Sequence, residues 1–313
     1  GRSRAAAQDS HDEIGVVGDQ FLERSRPVVG DFQEDGPARF RDAGVRAWLE
    51  RNGVCTRVCD VLDPAARRRL PQSGRVVYLI GRKFGTEGDE PETWLINTYA
   101  AGLAAEHFSG ARMVALSTGN VYPPVAPSTG GAPESLPPDP VGEYAQSCLG
   151  RERILVACAR RRQTPMSLLR LNYAVELRYG VLLDIAQRVL HNRPVDLTVG
   201  YVNVVWQGDA NECILRALER SDVPPCVLNL TGPEILSVRR VAERFAGLLG
   251  RSPRFTGREA DRALLSDARR AHGLFGSPRV SADTVIRWVA EWVRRGGRTL
   301  GKPTEFQRTD GRF

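Results

Sequence analysis

The sequence predicts an α/β protein, a doubly wound parallel sheet with a smaller region built from the C-terminal part of the chain. Three observations predict it. Val76-Val77-Tyr78-Leu79-Ile80 and Met166-Ser167-Leu168-Leu169-Arg170-Leu171 are short, nearly continuous apolar runs, as strands covered on both faces require. Val114-Ala115-Leu116 is a third such run, broken at Ser117-Thr118-Gly119-Asn120, where small polar residues mark the strand's carboxyl end. Stretches of helical spacing separate the runs, from Trp94 to Phe108 and from Gly142 to Ala157, which is the alternation of a βαβ chain.

Composition narrows the function. With 313 residues, 42% hydrophobic and 26% charged, the chain can form one large α/β domain and an appendage. No apolar run has membrane-spanning length, and residues 1–8 lack the apolar core of a signal peptide, so the expected location is cytoplasmic, with no membrane partner. Lysine and arginine number 44 against 37 acids. The arginines are dispersed, with triplets at Arg67-Arg68-Arg69 and Arg160-Arg161-Arg162 and no aromatic-interleaved stripe, which fits a phosphorylated small molecule better than nucleic acid. The six cysteines include no Cys-x-x-Cys and no paired histidines, so they read as reduced core residues and no metal site is expected.

In chain order, a Rossmann-like sheet should open with an apolar strand running into Gly-x-x-Gly-x-x-Gly, whose glycines let the backbone close on a pyrophosphate. No such fingerprint is legible. Residues 14–21 offer Gly15 and Gly18 only, preceded by Asp9-Ser10-His11-Asp12-Glu13 where a strand is needed. Either the region has diverged or the chain is truncated, with residues 1–7 the remnant of the first helix. Residues 26–32 read as a short strand ending in Asp31, and Asp31 reads equally as a turn residue before Gly36-Pro37. Ala43 to Asn52 has helical spacing and stops at Gly53. Val54 to Asp63 alternates like a strand. Later come a helix from Tyr179 to Leu190, strands at 195–198 and 201–206, a helix opening near Asp209, a strand at 226–232 and a helix capped by Ser237. Val285, Trp288, Val289 and Trp292 give the closing helix an amphipathic face, with both tryptophans expected in the core. The expected division is a dinucleotide-binding part at 1–172 with 201–232 returning to it, a substrate-binding part at 173–200 and 233–295, and an extended arm at 296–313.

The segment Thr118-Gly119-Asn120-Val121-Tyr122, followed by Tyr144, resembles the active-site region of the extended short-chain dehydrogenase/reductases, the NAD-dependent epimerase/dehydratase family. Their pattern is Ser/Thr, two residues, Val-Tyr, then Tyr-x-x-x-Lys; here the lysine position is Cys148. The resemblance runs in consistent order from about residue 45 to 295 and implies several roles. Tyr144 would be the acid/base, with Thr118 sharing the substrate's hydrogen bond. NAD, in preference to NADP, would meet Asp31 at the ribose, Asp60 and Val61 at the adenine, and Gly81 and Lys83 in the loop after the fourth strand. Asn97 would tie that loop down, as in the family's UDP-galactose 4-epimerases, while Leu171 and Tyr144 would lie near the nicotinamide. Asn120 and Asn172 would contact a nucleotide-activated sugar, and a homodimer is one assembly the resemblance allows. Asn97 also reads as a helix residue satisfying backbone groups.

A free tyrosine has a pKa near 10, so it acts at neutral pH only if its phenolate is stabilised. Cys148 carries no charge to do this. Three readings stay open: Lys83 leans in as a substitute, the nicotinamide charge suffices, or the site is inactive and the chain is a binding or assembly module.

Overall fold

The computed structural model describes residues 14–17, 43–302 and 304–311. Five strands form a parallel sheet in chain order: β1 (Ile14–Val17), β2 (Arg75–Tyr78), β3 (Arg112–Thr118), β4 (Met166–Leu171) and β5 (Cys226–Leu230). Apolar side chains alternate between its faces, as the two-residue repeat of a strand dictates. Tyr78, Met113, Ala115 and Leu168 join one cluster, while Val77, Val114, Leu116 and Leu169 join another.

Helices cover both faces. On one side lie α3, a continuous helix made of Glu90–Trp94, a π-helical turn Leu95–Tyr99 and Ala100–His107, and α4 (Gly142–Arg162). Ala100, Ala104, Leu155 and Ala159 pack there with the β2 to β4 side chains. On the other side are α1 (Ala43–Arg51), α6 (Gln207–Arg216) and α8 (Arg269–Phe275), represented by Leu49, Ile214 and Phe275. A short helix α2 (Pro64–Arg68) precedes β2. The three-layer arrangement agrees with the expected fold class.

A second core lies beyond the strand tips, where α5 (Val181–Leu190), α7 (Val238–Leu249) and α9 (Ala282–Arg294) bury Ile185, Phe245 and Val289 together. Ser237 caps α7, accepting from Arg240 N at 3.3 Å. Three two-residue ladders support this region: Val195–Asp196 with Phe255–Thr256, Tyr201–Val202 with Leu236–Ser237, and Val205–Trp206 with Ala174–Val175. The arm after α9 is irregular but anchored. Leu300 N donates to Arg178 O, Thr304 N and Oγ1 both donate to Asp184 Oδ2, and Phe306 is buried in the same core.

Three features differ from the sequence reading, and a fourth lies outside the described residues. Ile14–Val17 is a strand, placed beside β2 where the first strand of the sheet belongs; at four residues it is too short to show a period. Residues 54–60 form no strand. Val54, Cys59 and Val61 are buried from an irregular segment that ends in a turn, with Leu62 N donating to Asp60 Oδ1 and Asp63 N to Asp60 O. Trp288 is 43% exposed, packed edge-on against Trp206, so only Trp292 of the pair joins the core. Asp31 and its expected strand lie outside the described residues, as do residues 18–30.

Candidate active site

β3 ends at Thr118, whose hydroxyl caps a single 3-10 turn, Gly119–Val121, by accepting from Asn120 N at 3.2 Å. α4 starts at Gly142 (φ 79°), in the left-handed region that glycine adopts without strain, and brings Tyr144 into its first turn. The Thr118 hydroxyl stands beside the Tyr144 phenol and favours its phenolate. Thr118 Oγ1 donates to Asn120 Oδ1 at 3.3 Å.

One helical turn on, the Cys148 thiol stands beside the same phenol. Burial pushes the Tyr144 phenol well above its ordinary value; the Cys148 side chain adds to this, while Thr118 and the positive charge of Arg151 oppose it. Burial pushes the Cys148 thiol up as well, with Arg151 and Tyr144 opposing. Both groups are therefore neutral at ordinary pH.

Arg151 is the residue the sequence reading missed. It is 5% exposed, and its fork spans three carbonyl oxygens: Nε to Asn97 O at 2.8 Å, Nη1 to Leu116 O at 2.7 Å and Nη2 to Asn97 Oδ1 at 2.9 Å. Spacing carried the signal. Tyr144, Cys148 and Arg151 stand at i, i+4 and i+7, one face of a helix.

Asn97, on the π turn of α3, is the hub of the floor. Its Oδ1 also accepts from Arg82 N at 2.7 Å, and its Nδ2 donates to Arg82 O and Ser147 Oγ, both at 2.9 Å. It thus ties the loop after β2 to α4, the backbone-satisfying work that a buried amide performs. Gly81 opens that loop and is itself exposed, with the Arg151 guanidinium beneath it: a Cβ there would fall 2.8 Å from Arg151 Nη2.

Lys83 goes elsewhere. Its Nζ donates to Thr304 O at 3.1 Å, and its charge bears on Glu305 and Asp184, so it holds the C-terminal arm. The cation acting on Tyr144 is Arg151, which removes the geometric basis for Lys83 as its substitute. Asn172 is also turned inward: it is buried, and its amide nitrogen donates to Asn203 Oδ1 at 2.6 Å and Leu264 O at 3.2 Å. Those bonds occupy the donors that a substrate diphosphate would need. Leu171, paired with Thr118 across β3 and β4, packs its side chain into the core on the α6 side. Val61 is buried, its carbonyl accepting from Arg67, and the Asp60 carboxylate closes its own turn.

Behind the strand tips runs a buried ionic network. Arg170 on β4 grips Glu152 of α4 with two bonds, Nε to Oε1 at 2.9 Å and Nη2 to Oε2 at 2.7 Å. Ser117 Oγ donates to Glu152 Oε1 at 2.6 Å, Arg170 Nη1 donates to the Tyr122 hydroxyl at 2.7 Å, and that hydroxyl donates to Asn229 Oδ1 at 2.9 Å. The network locks β3, β4, β5 and α4 in register beneath Thr118 and Tyr144.

Solved structures share this architecture over nearly their whole length. A UDP-glucuronic acid 4-epimerase variant from Bacillus cereus, in complex with NAD and UDP-4-deoxy-4-fluoro-glucuronic acid, superposes with a TM-score of 0.76 at 18% identity, over 90% of this chain and 99% of that one. UDP-glucose 4-epimerase from Thermotoga maritima with UDP-glucose gives 0.73 at 19% identity, covering 91% and 99%. RMD from Pseudomonas aeruginosa, complexed with NADPH, gives 0.66 at 21%, covering 80% and 95%. No protein-family model matches the chain, and no curated protein matches its sequence. The chain thus shares the Rossmann-like α/β fold of these solved structures. The neighbours named above include UDP-sugar 4-epimerases.

Proposed function

We propose that the chain is a nicotinamide-dinucleotide-dependent enzyme of the epimerase/dehydratase type acting on a nucleotide-activated sugar, with Tyr144 as acid/base. The observation that carries this is the placement of Thr118 at the end of β3 and Tyr144 in the first turn of α4, which sets two hydroxyls at a strand tip of the sheet, where doubly wound folds bind their ligands. The neighbours' NAD, NADPH and UDP-sugars support the ligand classes.

The described part of the crevice suits the nicotinamide end of such a cofactor. Gly81 and Gly119 keep the tips of β2 and β3 free of side chains, and Gly81 is exposed. Gly81, Thr118 and Tyr144 would hold that end, with the Asp60–Val61 turn toward the adenine. When bound, the cofactor supplies the hydride acceptor or donor. Tyr144 would take the proton of the substrate hydroxyl as hydride leaves its carbon, and Thr118 would steady the same oxygen. Asn120 would contact the sugar from the turn after Thr118. A homodimer would use the outward faces of α3 and α4, where Leu95, Tyr99 and Ile154 are exposed.

A rival has one observation in its favour: one helical turn after Tyr144 stands the neutral thiol of Cys148, where the resemblance expects a lysine, as in a relative that keeps the fold for binding or assembly. Purified protein decides between them. Bound dinucleotide detected by absorbance and mass, together with cofactor reduction on adding one of a panel of sugar nucleotides, supports the enzyme. Protein that reduces no cofactor with any sugar nucleotide, whether or not it binds NAD or NADP, supports the rival.

A further inference from the structure

A buried guanidinium without an acid beside it is expensive to maintain, because desolvation costs several kcal/mol per ion unless an opposite charge compensates. Arg151 is such a group. Its three hydrogen bonds all go to neutral oxygens, and among the described residues no carboxylate lies within ion-pair distance. The adjacent Glu152 is not available, since Arg170 and Ser117 take its oxygens. A packing role alone does not call for a charge here.

What surrounds the guanidinium shows where an anion would form. Its charge bears on three groups that can lose a proton: half-buried Tyr144 and buried Cys148 from α4, and buried Tyr78 from the end of β2. The Tyr78 hydroxyl is fully buried and has no hydrogen-bond partner among the described residues. Glu152 also faces Cys148 and opposes its ionisation. Of the three, Tyr144 alone stands beside a hydroxyl at the strand tip, that of Thr118, which favours its phenolate.

We infer that Arg151 stands in for the lysine absent at position 148, as the fixed positive charge under the crevice floor that favours the Tyr144 phenolate when the substrate's proton moves. The inference rests on Tyr144 being the acid/base group. Arg151 is a positioning residue, acting through the phenol without touching substrate. Relocating the charge from 148 to 151 requires a small residue at 148, and cysteine meets that need. It also explains Gly81, since any side chain there would press on the guanidinium.

A four-variant cycle tests the charge without needing activity: parent, Cys148→Lys, Arg151→Met and the double variant, each unfolded in denaturant as the full chain. If Arg151 already fills the cation's place, Cys148→Lys sets two cations in one buried site and lowers the midpoint steeply. Removing the guanidinium should then recover much of that loss, making the double variant more stable than Cys148→Lys alone. Cys148→Lys costing the same with Met or Arg at 151 overturns the inference.

Turnover supplies the second readout. Arg151→Met should lower hydride transfer about 10²-fold and move the rising limb of its pH profile upward, with Arg151→Lys losing less and the double variant regaining rate. An unmoved pH profile in Arg151→Met, with Tyr144→Phe inactive, sinks the role of Arg151 alone. Full turnover in Tyr144→Phe sinks the proposed acid/base group instead.

Discussion

The Cys148 thiol stands one helical turn after Tyr144, at the position where the sequence resemblance expects a lysine, and raises the phenol's pKa. A half-buried neutral phenol beside a buried neutral thiol makes a poor base at ordinary pH, so the proposed chemistry depends on charge brought from further along α4 and on the geometry beneath it.

The Glu152–Arg170 pair holds that geometry. Both side chains are under a tenth exposed, so Glu152→Gln strands a buried guanidinium and should cost about 3–5 kcal/mol of stability. Denaturant unfolding measures it. The double variant Glu152→Leu/Arg170→Met, which removes both charges, should be more stable than the single one; equal loss in both would show that the pair is not coupled.

Lys83 gives the stability a pH signature. Burial depresses its ammonium from 10.5 to about 8, against the pull of Glu305 and Asp184. The folded chain therefore releases this proton first, and stability should rise as pH climbs from about 8 towards 10.5. Unfolding free energies across that window check it, with Lys83→Met as control; a rise that persists in the variant would point to another group.

NAD should bind more tightly than NADP, because an acid at Asp31 repels a 2′-phosphate and accepts from free ribose hydroxyls. Calorimetric titration of both cofactors, repeated on Asp31→Ser, reads this directly. Tighter NADP binding by the parent would remove Asp31 from the cofactor site.

Much of the fold was legible because buried central strands leave apolar runs that little else produces: Val76 to Ile80, Val114 to Leu116 and Met166 to Leu171 all lie in or lead out of the sheet. Val54 to Asp63 misled because a loop burying Val54, Cys59 and Val61 imitates alternation. In the site, the motif spacing placed Thr118 and Tyr144 at one strand tip, as the structure has them. The inward turns of Lys83 and Asn172 were not legible, because sequence order places a residue near a strand tip without saying which way its side chain turns. Lys83 turns to the arm at Thr304, 221 residues away in the chain. Arg151 was hidden among the arginines of α4, most of which lie on solvated faces, and only its helical spacing from Tyr144 and Cys148 distinguished it.

The central claim is that the Thr118–Tyr144 pair carries a proton during hydride transfer. The direct measurement is single-turnover reduction of bound NAD, followed at the nicotinamide absorbance with a panel of sugar nucleotides, in the parent and in Tyr144→Phe. The account predicts reduction in the parent with at least one sugar nucleotide. In Tyr144→Phe it predicts a loss of about 10²-fold or more, with dinucleotide binding nearly intact because the ring's packing is kept. An unchanged rate in Tyr144→Phe, or no reduction by the parent with any sugar nucleotide, would contradict it.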